Sequence, residues 1–82
     1  MYGIYGLFDR VRESYTNITL DNNDATAKRA FLSAVSQSNE LMFIAKDLEL
    51  RKIGEFDIHT GMIIPMAQSS LVCYGLEYQN EN

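Results

Sequence analysis

The sequence predicts an α+β fold, in which two antiparallel hairpins flank one helix in the order ββαββ and the helix packs on one face of the sheet. Three observations predict it. Two stretches before residue 21 are rich in aromatic and branched side chains, residues 23 to 37 carry apolar side chains at helical spacing, and a turn signal, "DIHTG", separates two further apolar stretches. With 82 residues, we expect one small domain over 1–82, with a frayed end at about 79–82.

The first predicted hairpin joins "YGIYGLFD" to "YTNITL". The first of these strands carries apolar side chains on both faces, in two alternating sets: Tyr2, Ile4 and Phe8, and Tyr5 and Leu7. Because one helix covers only one face of a sheet, we expect the other face to be covered as well, and we predict a homodimer or higher oligomer formed through the sheet or its edge.

The predicted helix spans about residues 23 to 37. Asn23 is the expected N-cap, and Asp24 in the first turn favours the positive end of the helix dipole. Phe31 is the one large side chain of the apolar stripe, which comprises Ala27, Ala30, Phe31, Ala34 and Val35. The apolar residues 42–44 that follow either close one end of the core or form an exposed patch, and the sequence leaves both open.

The second predicted hairpin joins "LELRKIGEFD" to "MIIPM". We expect an irregularity near Gly54, and a turn in which Asp57 bonds back to the backbone and Gly61 supplies a positive φ. Pro65 either ends the fourth strand or marks an edge, because proline cannot donate to a ladder. The sequence also allows a fifth strand at the C-terminal end of the chain, over residues 71–78.

Composition limits the class of protein. Hydrophobic residues make up 46% and charged residues 22% of the chain, which are values of globular proteins. A single cysteine, Cys73, sits among apolar neighbours and is expected to be a buried core residue. No apolar run approaches the roughly 20 residues that a spanning helix needs, so we expect a soluble, intracellular protein without membrane contact.

We predict no catalytic residues, no metal site and no cofactor, and hence no enzyme. A nucleophilic pair would require Cys73 to meet His59 across the fold, and nothing else in the sequence supports that. Glu55, Asp57 and His59 alternate along one strand and turn, but their spacing is not that of a recognised metal site. The glycines of "YGIYG" are too few to hold a phosphate.

Nucleic acid is the remaining ligand class with candidate residues. The net charge of −4 disfavours a general polyanion binder, so only a local basic surface is expected to bind. We select Lys28 and Arg29 on the exposed side of the helix, and Arg10 and Arg12 in the first hairpin connection. Arg51 and Lys52 are neighbours on a strand and should point to opposite faces, so they form no single basic patch.

Three motifs in order carry a resemblance: "YGLFDR", then "NDATAKRAF" at the helix start, then "DLELRKIGEFDIHTGMI". Over about residues 4 to 64 the chain resembles the small nonstructural protein of gokushoviruses, the single-stranded-DNA microviruses of bacteria. The resemblance implies a non-capsid protein of the infected bacterial cytoplasm that acts in viral single-stranded DNA synthesis and genome packaging. It carries over no catalytic residues.

Two functional hypotheses follow. The first is a nonenzymatic regulator of phage DNA replication or packaging, which binds viral or host replication proteins and single-stranded DNA. The second is a protein-interaction module, such as a host-factor inhibitor or assembly accessory, with no direct DNA contact. The acidic balance favours the second hypothesis, and the resemblance favours the first.

Overall fold

A computed structural model describes residues 1–80 of the protein. Its elements in chain order are β1 (Tyr2–Asp9), β2 (Ser14–Asp21), α1 (Asp24–Ser36), α2 (Asn39–Ile44), β3 (Leu48–Phe56) and β4 (Ile63–Tyr74). The strands form one antiparallel sheet in the order β2-β1-β3-β4. The α+β class with two hairpins is therefore confirmed, and the predicted ββαββ order is extended by the short α2 and by 3-10 segments at Ala45–Asp47 and Gly75–Asn80.

α1 begins where its capping residue predicts. The Asn23 side chain accepts a hydrogen bond from the Thr26 backbone N–H at 2.9 Å, and the Thr26 hydroxyl lies 3.4 Å from the Asn23 N–H that it accepts. This reciprocal capping box satisfies two backbone donors that an uncapped helix start leaves without partners.

The hydrophobic core lies between α1 and one face of the sheet. Its buried side chains come from α1, from the three strands β1, β3 and β4, and from the 3-10 segment after α2: Tyr5, Leu7, Ala27, Phe31, Leu32, Val35, Ala45, Leu48, Leu50 and Cys73. Phe31 and Cys73 are therefore core residues, as the sequence predicts. Among residues 1–80, no helix is long and apolar enough to cross a membrane.

The buried stripe of α1 is rotated from the predicted one. Leu32 is buried, whereas Ala30 and Ala34 are exposed. The reason is the position of the helix, which contacts the C-terminal 3-10 segment and α2 more closely than it contacts any one strand. The spacing of apolar residues predicts the buried side of the helix only to within one residue position, because alanine is small enough to lie either in the core or at the surface.

β1 is buried on both faces, and the flanking strands supply the second cover. Ile4 is only 8% exposed, and the Cδ1 atoms of Ile18, Tyr15 and Ile53 lie 3.0, 3.1 and 3.7 Å from the place that a Cβ on Gly6 would occupy. The sheet therefore curls over its own face opposite α1. A second subunit is not needed to bury β1, and the homodimer or higher oligomer formed through the sheet or its edge stays a prediction.

A bulge in β2 changes the alternation expected for that strand. The pairing with β1 shifts between Tyr5 and Leu7, and Asn17 adopts a φ of 53° there. The extra residue places Tyr15 and Ile18 on the same face, where both contact Gly6. Strict alternation along "YTNITL" would put these two residues, three positions apart, on opposite faces, so the bulge makes β2 an exception to it.

β4 is longer than predicted, and the separate fifth strand is absent from the described residues. Pro65 lies inside β4 and pairs with Gly54, which an edge strand tolerates because its outer side needs no donor. The strand continues past residues 66–69, an irregular stretch, to Tyr74. Of residues 71–78, where the fifth strand was predicted, 71–74 belong to β4 and the rest lie in the 3-10 helix Gly75–Asn80. Residues 81 and 82, part of the predicted frayed end, lie outside the described residues.

The turn and the irregularity of the second hairpin are as predicted. Gly61 has a φ of 76°, and its N–H donates to the Asp57 carbonyl at 2.7 Å. The His59 N–H donates to Asp57 Oδ1 at 2.9 Å, and this bond lowers the pKa of the Asp57 carboxyl. In the pairing with β1, Lys52 and Gly54 have partners and Ile53 has none, so β3 has a bulge at Ile53. This is next to Gly54, where the irregularity was predicted.

Residues 42–44 combine the two alternatives that the sequence left open. Met42 and Ile44 pack against the core and close its end. Phe43 is 79% exposed and contacts solvent on the opposite side of α2.

Candidate nucleic-acid interface

The sheet face opposite α1 carries a cluster of charged and aromatic side chains at the end where β1 finishes and β3 begins. We name it the arginine–tyrosine face and define it by six residues: Arg10, Tyr15, Glu49, Arg51, Ser69 and Tyr74. Glu49 lies between the buried residues Leu48 and Leu50, so its side chain points away from the helix. It pairs with Phe8 of β1 on one side and with Tyr74 of β4 on the other.

Arg51 is the fixed centre of this face. Its Nε donates to Ser69 Oγ at 2.8 Å, its Nη2 to the Ser69 carbonyl at 3.2 Å, and its Nη1 to Glu49 Oε1 at 2.7 Å. With one hydrogen bond from each of its three nitrogens and its side chain 24% exposed, Arg51 holds the irregular stretch of β4 against the sheet. The neighbouring Lys52 pairs in register with the core residue Tyr5 and forms an ion pair with Glu55 at 3.6 Å.

Arg10 is the accessible cation of the face. Its Nε lies 3.8 Å from Glu49 Oε2, its Nη2 donates to the Lys46 carbonyl, and its Cζ lies 6.0 Å from the centre of the Tyr74 ring. The Arg10 side chain is 48% exposed, twice the value of Arg51. The guanidinium is therefore oriented by protein contacts while part of it faces solvent, an arrangement in which its free N–H groups can donate to a phosphate oxygen.

Two tyrosines flank the arginines. The Tyr15 hydroxyl donates to Ser69 Oγ at 2.9 Å, and its ring lies 5.0 Å from the Phe8 ring at a tilt of 54°. Tyr15 remains 40% exposed and Tyr74 46% exposed. Partly exposed aromatic rings on a rigid sheet are surfaces on which nucleic-acid bases stack without sequence preference.

Lys28 and Arg29 lie on the helix side and do not join this face. Lys28 Nζ forms an ion pair with Glu77 Oε1 at 3.2 Å, while Glu77 Oε2 accepts the backbone N–H of Tyr74 at 2.8 Å. These contacts lower the pKa of the Glu77 carboxyl, the backbone bond more than the lysine. Arg29 is exposed on the outer side of α1.

Arg12 lies in the tight connection between β1 and β2, next to the arginine–tyrosine face. Asp9 Oδ1 accepts the backbone N–H groups of Val11 and Arg12 at 2.9 and 3.2 Å, which fixes the connection. Within residues 1–80, ion pairs engage five of the seven cationic side chains, and Arg12 and Arg29 are the two outside them. Most of the basic charge is thus already balanced within the chain.

The sequence reasoning identified Arg10 and Arg12 but missed the partners that orient Arg10. Glu49 and Arg51 are two apart on a strand and must share a face, which is a signal that the sequence carried. No such signal in the sequence places Ser69 and Tyr74 on this face, because their position depends on how β4 bends past Pro65.

The other sites considered from the sequence do not assemble. Cys73 is 2% exposed in the core, whereas His59 is exposed in the hairpin turn. In the part of the chain that the structure describes, no group of three or more histidine, cysteine or acidic side chains is placed to hold a metal ion.

Comparison with known families gives one match, over residues 2–78, to the family model described as Phage ORF5 protein. The match includes all four strands and both helices, as well as every residue of the arginine–tyrosine face. No curated protein and no solved structure matches the chain.

Proposed function

The chain belongs to the Phage ORF5 protein family, and we propose that it is a nonenzymatic protein of a single-stranded-DNA phage, of the gokushovirus kind, that acts in viral DNA synthesis or genome packaging. In this role it binds viral or host replication proteins in the bacterial cytoplasm and contacts single-stranded DNA directly. Membership of a phage family supports the setting, and the three motifs that resemble the gokushovirus nonstructural protein support the finer role.

One observation carries the DNA contact: two partly exposed tyrosines and a half-exposed arginine share one rigid sheet face. Stacking on Tyr15 and Tyr74 suits the unpaired bases of a single strand, which a duplex would not expose. Arg10, and Arg12 in the adjoining connection, supply cations for the backbone phosphates. Glu49 offsets part of that charge, so we expect the affinity for DNA to be weak and to come mainly from base stacking. We also expect binding to be detectable only at low salt.

Polarisation of a labelled oligonucleotide of about 16 nucleotides tests this contact. Tyr74→Ala should weaken binding by about 5- to 150-fold, since one stacked base contributes ~1–3 kcal/mol. Tyr2→Ala is the matched control: Tyr2 is 37% exposed at the opposite end of β1, and its removal should leave the affinity unchanged. Equal losses from the two variants would contradict a contact at the arginine–tyrosine face.

A pair of charge variants separates the sheet face from the helix. The double change Arg10→Gln and Arg12→Gln removes the same charge as Lys28→Gln and Arg29→Gln, so the long-range electrostatic effect is matched. The first should weaken binding more if the sheet face contacts DNA, and the second if the helix does. With ~3 or 4 phosphate contacts, log affinity should fall with log salt at a slope of roughly −2 to −3.

The second hypothesis, a protein-interaction module without DNA contact, is favoured by the pairing of most cations within the chain. No oligonucleotide binding even at low salt would exclude the DNA contact and leave this alternative. Affinity capture from infected cells, with and without nuclease, then identifies the partners, because protein contacts survive nuclease treatment.

A further inference from the structure

A groove of about 330 Å³ lies between α1 and β2. Its lining includes the buried Leu7 and Phe31, the exposed helix residues Ala30 and Ala34, and Thr19 and Asp21 of β2. The two alanines are too small to fill the space.

The size and lining of the groove suit a bulky apolar side chain. Its volume lies at the lower end of the range for small-molecule pockets, about 300–1,000 Å³. The polar residues of its lining, Asn17, Thr19 and Asp21, all belong to β2. Such a site accepts an aromatic ring that arrives with a cation at its border, where the Asp21 carboxylate can pair with it.

The chain itself carries a group of this chemistry. Phe43 is 79% exposed, the most exposed large hydrophobic side chain among residues 1–80. Its neighbours on α2, Met42 and Ile44, pack inward and hold the helix in place, so Phe43 projects from a fixed base. Lys46 Nζ lies 5.5 Å from the centre of the Phe43 ring, and the lysine side chain is 64% exposed.

We propose that two copies of this chain form a dimer in which the Phe43 side chain of each copy occupies the α1–β2 groove of the other, with Lys46 facing Asp21 across the rim. Each copy offers both a projection and a groove, which is the condition for a self-complementary interface about a two-fold axis. The interface uses the helix side of the molecule. It leaves the arginine–tyrosine face open and does not depend on DNA binding.

Sedimentation velocity over a range of protein concentrations tests the dimer. The unmodified chain should show a reversible monomer–dimer equilibrium. Phe43→Ala should raise the dimer Kd by about a hundredfold or more, because each dimer loses two buried aromatic rings. Phe43 is exposed in the single chain, so its removal should leave the melting temperature of the monomer unchanged. Ile63→Ala, at a residue 65% exposed on β4, is the matched control and should leave the Kd unchanged.

The groove is tested separately from the projection. Ala34→Trp places a large side chain in the groove from an exposed helix position and should also dissociate the dimer. Ala30→Trp fills the groove one helical turn earlier and replaces the first variant if that variant folds poorly. A mixture of the Phe43→Ala and Ala34→Trp chains should associate more strongly than either alone, since one intact contact is restored in the mixed pair. A monomeric unmodified chain at high concentration, or a dimer that resists both variants, would overturn the proposal.

Discussion

Tyr5 connects the sheet to the start of α1 through a single hydrogen bond. Its side chain is fully buried, and its hydroxyl donates to Asp24 Oδ1 at 2.8 Å. Burial, and then the Asp24 carboxylate, raise the pKa of the Tyr5 hydroxyl above its usual value. The neutral tyrosine is therefore the form that the fold requires, and Asp24 is held at the helix end where its charge is stabilising.

This pKa shift predicts loss of stability in alkali. Because the folded-state pKa lies above the ordinary value of 10.0, the contribution of Tyr5 is complete below pH 10 and declines as pH rises beyond it, when the unfolded chain ionises first. Tyr5→Phe should remove this dependence and cost about 1 kcal/mol at neutral pH through the lost hydrogen bond. Urea midpoints measured across the alkaline range test both effects.

Tyr2→Phe is the control for the alkaline experiment. Tyr2 is 37% exposed on the same strand, so its substitution should leave the alkaline decline as it is in the unmodified chain. Parallel profiles for the Tyr5→Phe and unmodified proteins would show that Tyr5 is not the titrating group.

At the scale of elements, the turn between β3 and β4 depends on one backbone conformation. Gly61 has a φ of 76°, and among residues 1–80 no heavy atom beyond those of its two chain neighbours lies within 4 Å of the place that a Cβ there would occupy. Any penalty for substitution thus comes from the backbone and not from a clash with neighbours.

Gly61→Val should destabilise the second hairpin by about 1–3 kcal/mol, because a β-branched residue resists positive φ. His59→Ala should be nearly silent, since the turn uses the His59 backbone N–H and not its imidazole. Thermal melts of the two variants make the comparison. Equal shifts would mean that the turn is not set by the glycine.

α1 is held on the sheet by Phe31, which is 7% exposed. Phe31→Ala should cost ~3–5 kcal/mol, a large share of the stability of a domain of this size. Phe43→Ala removes the same side chain from a position exposed in the monomer and is the matched control at protein concentrations low enough for the chain to be monomeric. A melting temperature for Phe31→Ala within a degree or two of the unmodified protein, as compared by calorimetry, would remove Phe31 from the core.

At the scale of the whole molecule, the sheet curls until its two edge strands meet across one face. Tyr15 of β2 and Ser69 of β4 belong to opposite edges of the four-stranded sheet, yet their hydroxyl groups are 2.9 Å apart. The bulge at Asn17 and the irregular stretch 66–69 provide the bend. The same curl brings the tyrosines and arginines of the proposed DNA surface together.

A double-mutant cycle measures how much this contact stabilises the curl. Tyr15→Phe should cost about 0.5–1.5 kcal/mol, and Ser69→Ala should cost more because Ser69 Oγ also accepts from Arg51 Nε. The double variant should cost less than the sum, since both changes remove the hydrogen bond between Tyr15 and Ser69. Denaturant unfolding gives the three differences. Additive costs would show that the two hydroxyl groups are not coupled and that the edges are held apart in solution.

The local elements were predictable from the sequence. β1, the Asn23 cap, the positive φ at Gly61 and the irregularity at Gly54 were all identified, because each depends on residues close together along the chain. Of the candidate site, the sequence provided Arg10 and Arg12 and the opposite orientations of Arg51 and Lys52.

Only the tertiary structure decided what covers each face and which distant groups meet. The continuation of β4 through Pro65, the exposure of Ala30 and Ala34, and the pairing of Lys28 with Glu77 depend on how the packed elements lie against one another. Periodicity tells which side chains share a face but not how far a neighbouring element extends over that face. The sequence therefore determined the strands, the helix and their caps, whereas packing determined the curl, the groove and the arginine–tyrosine face.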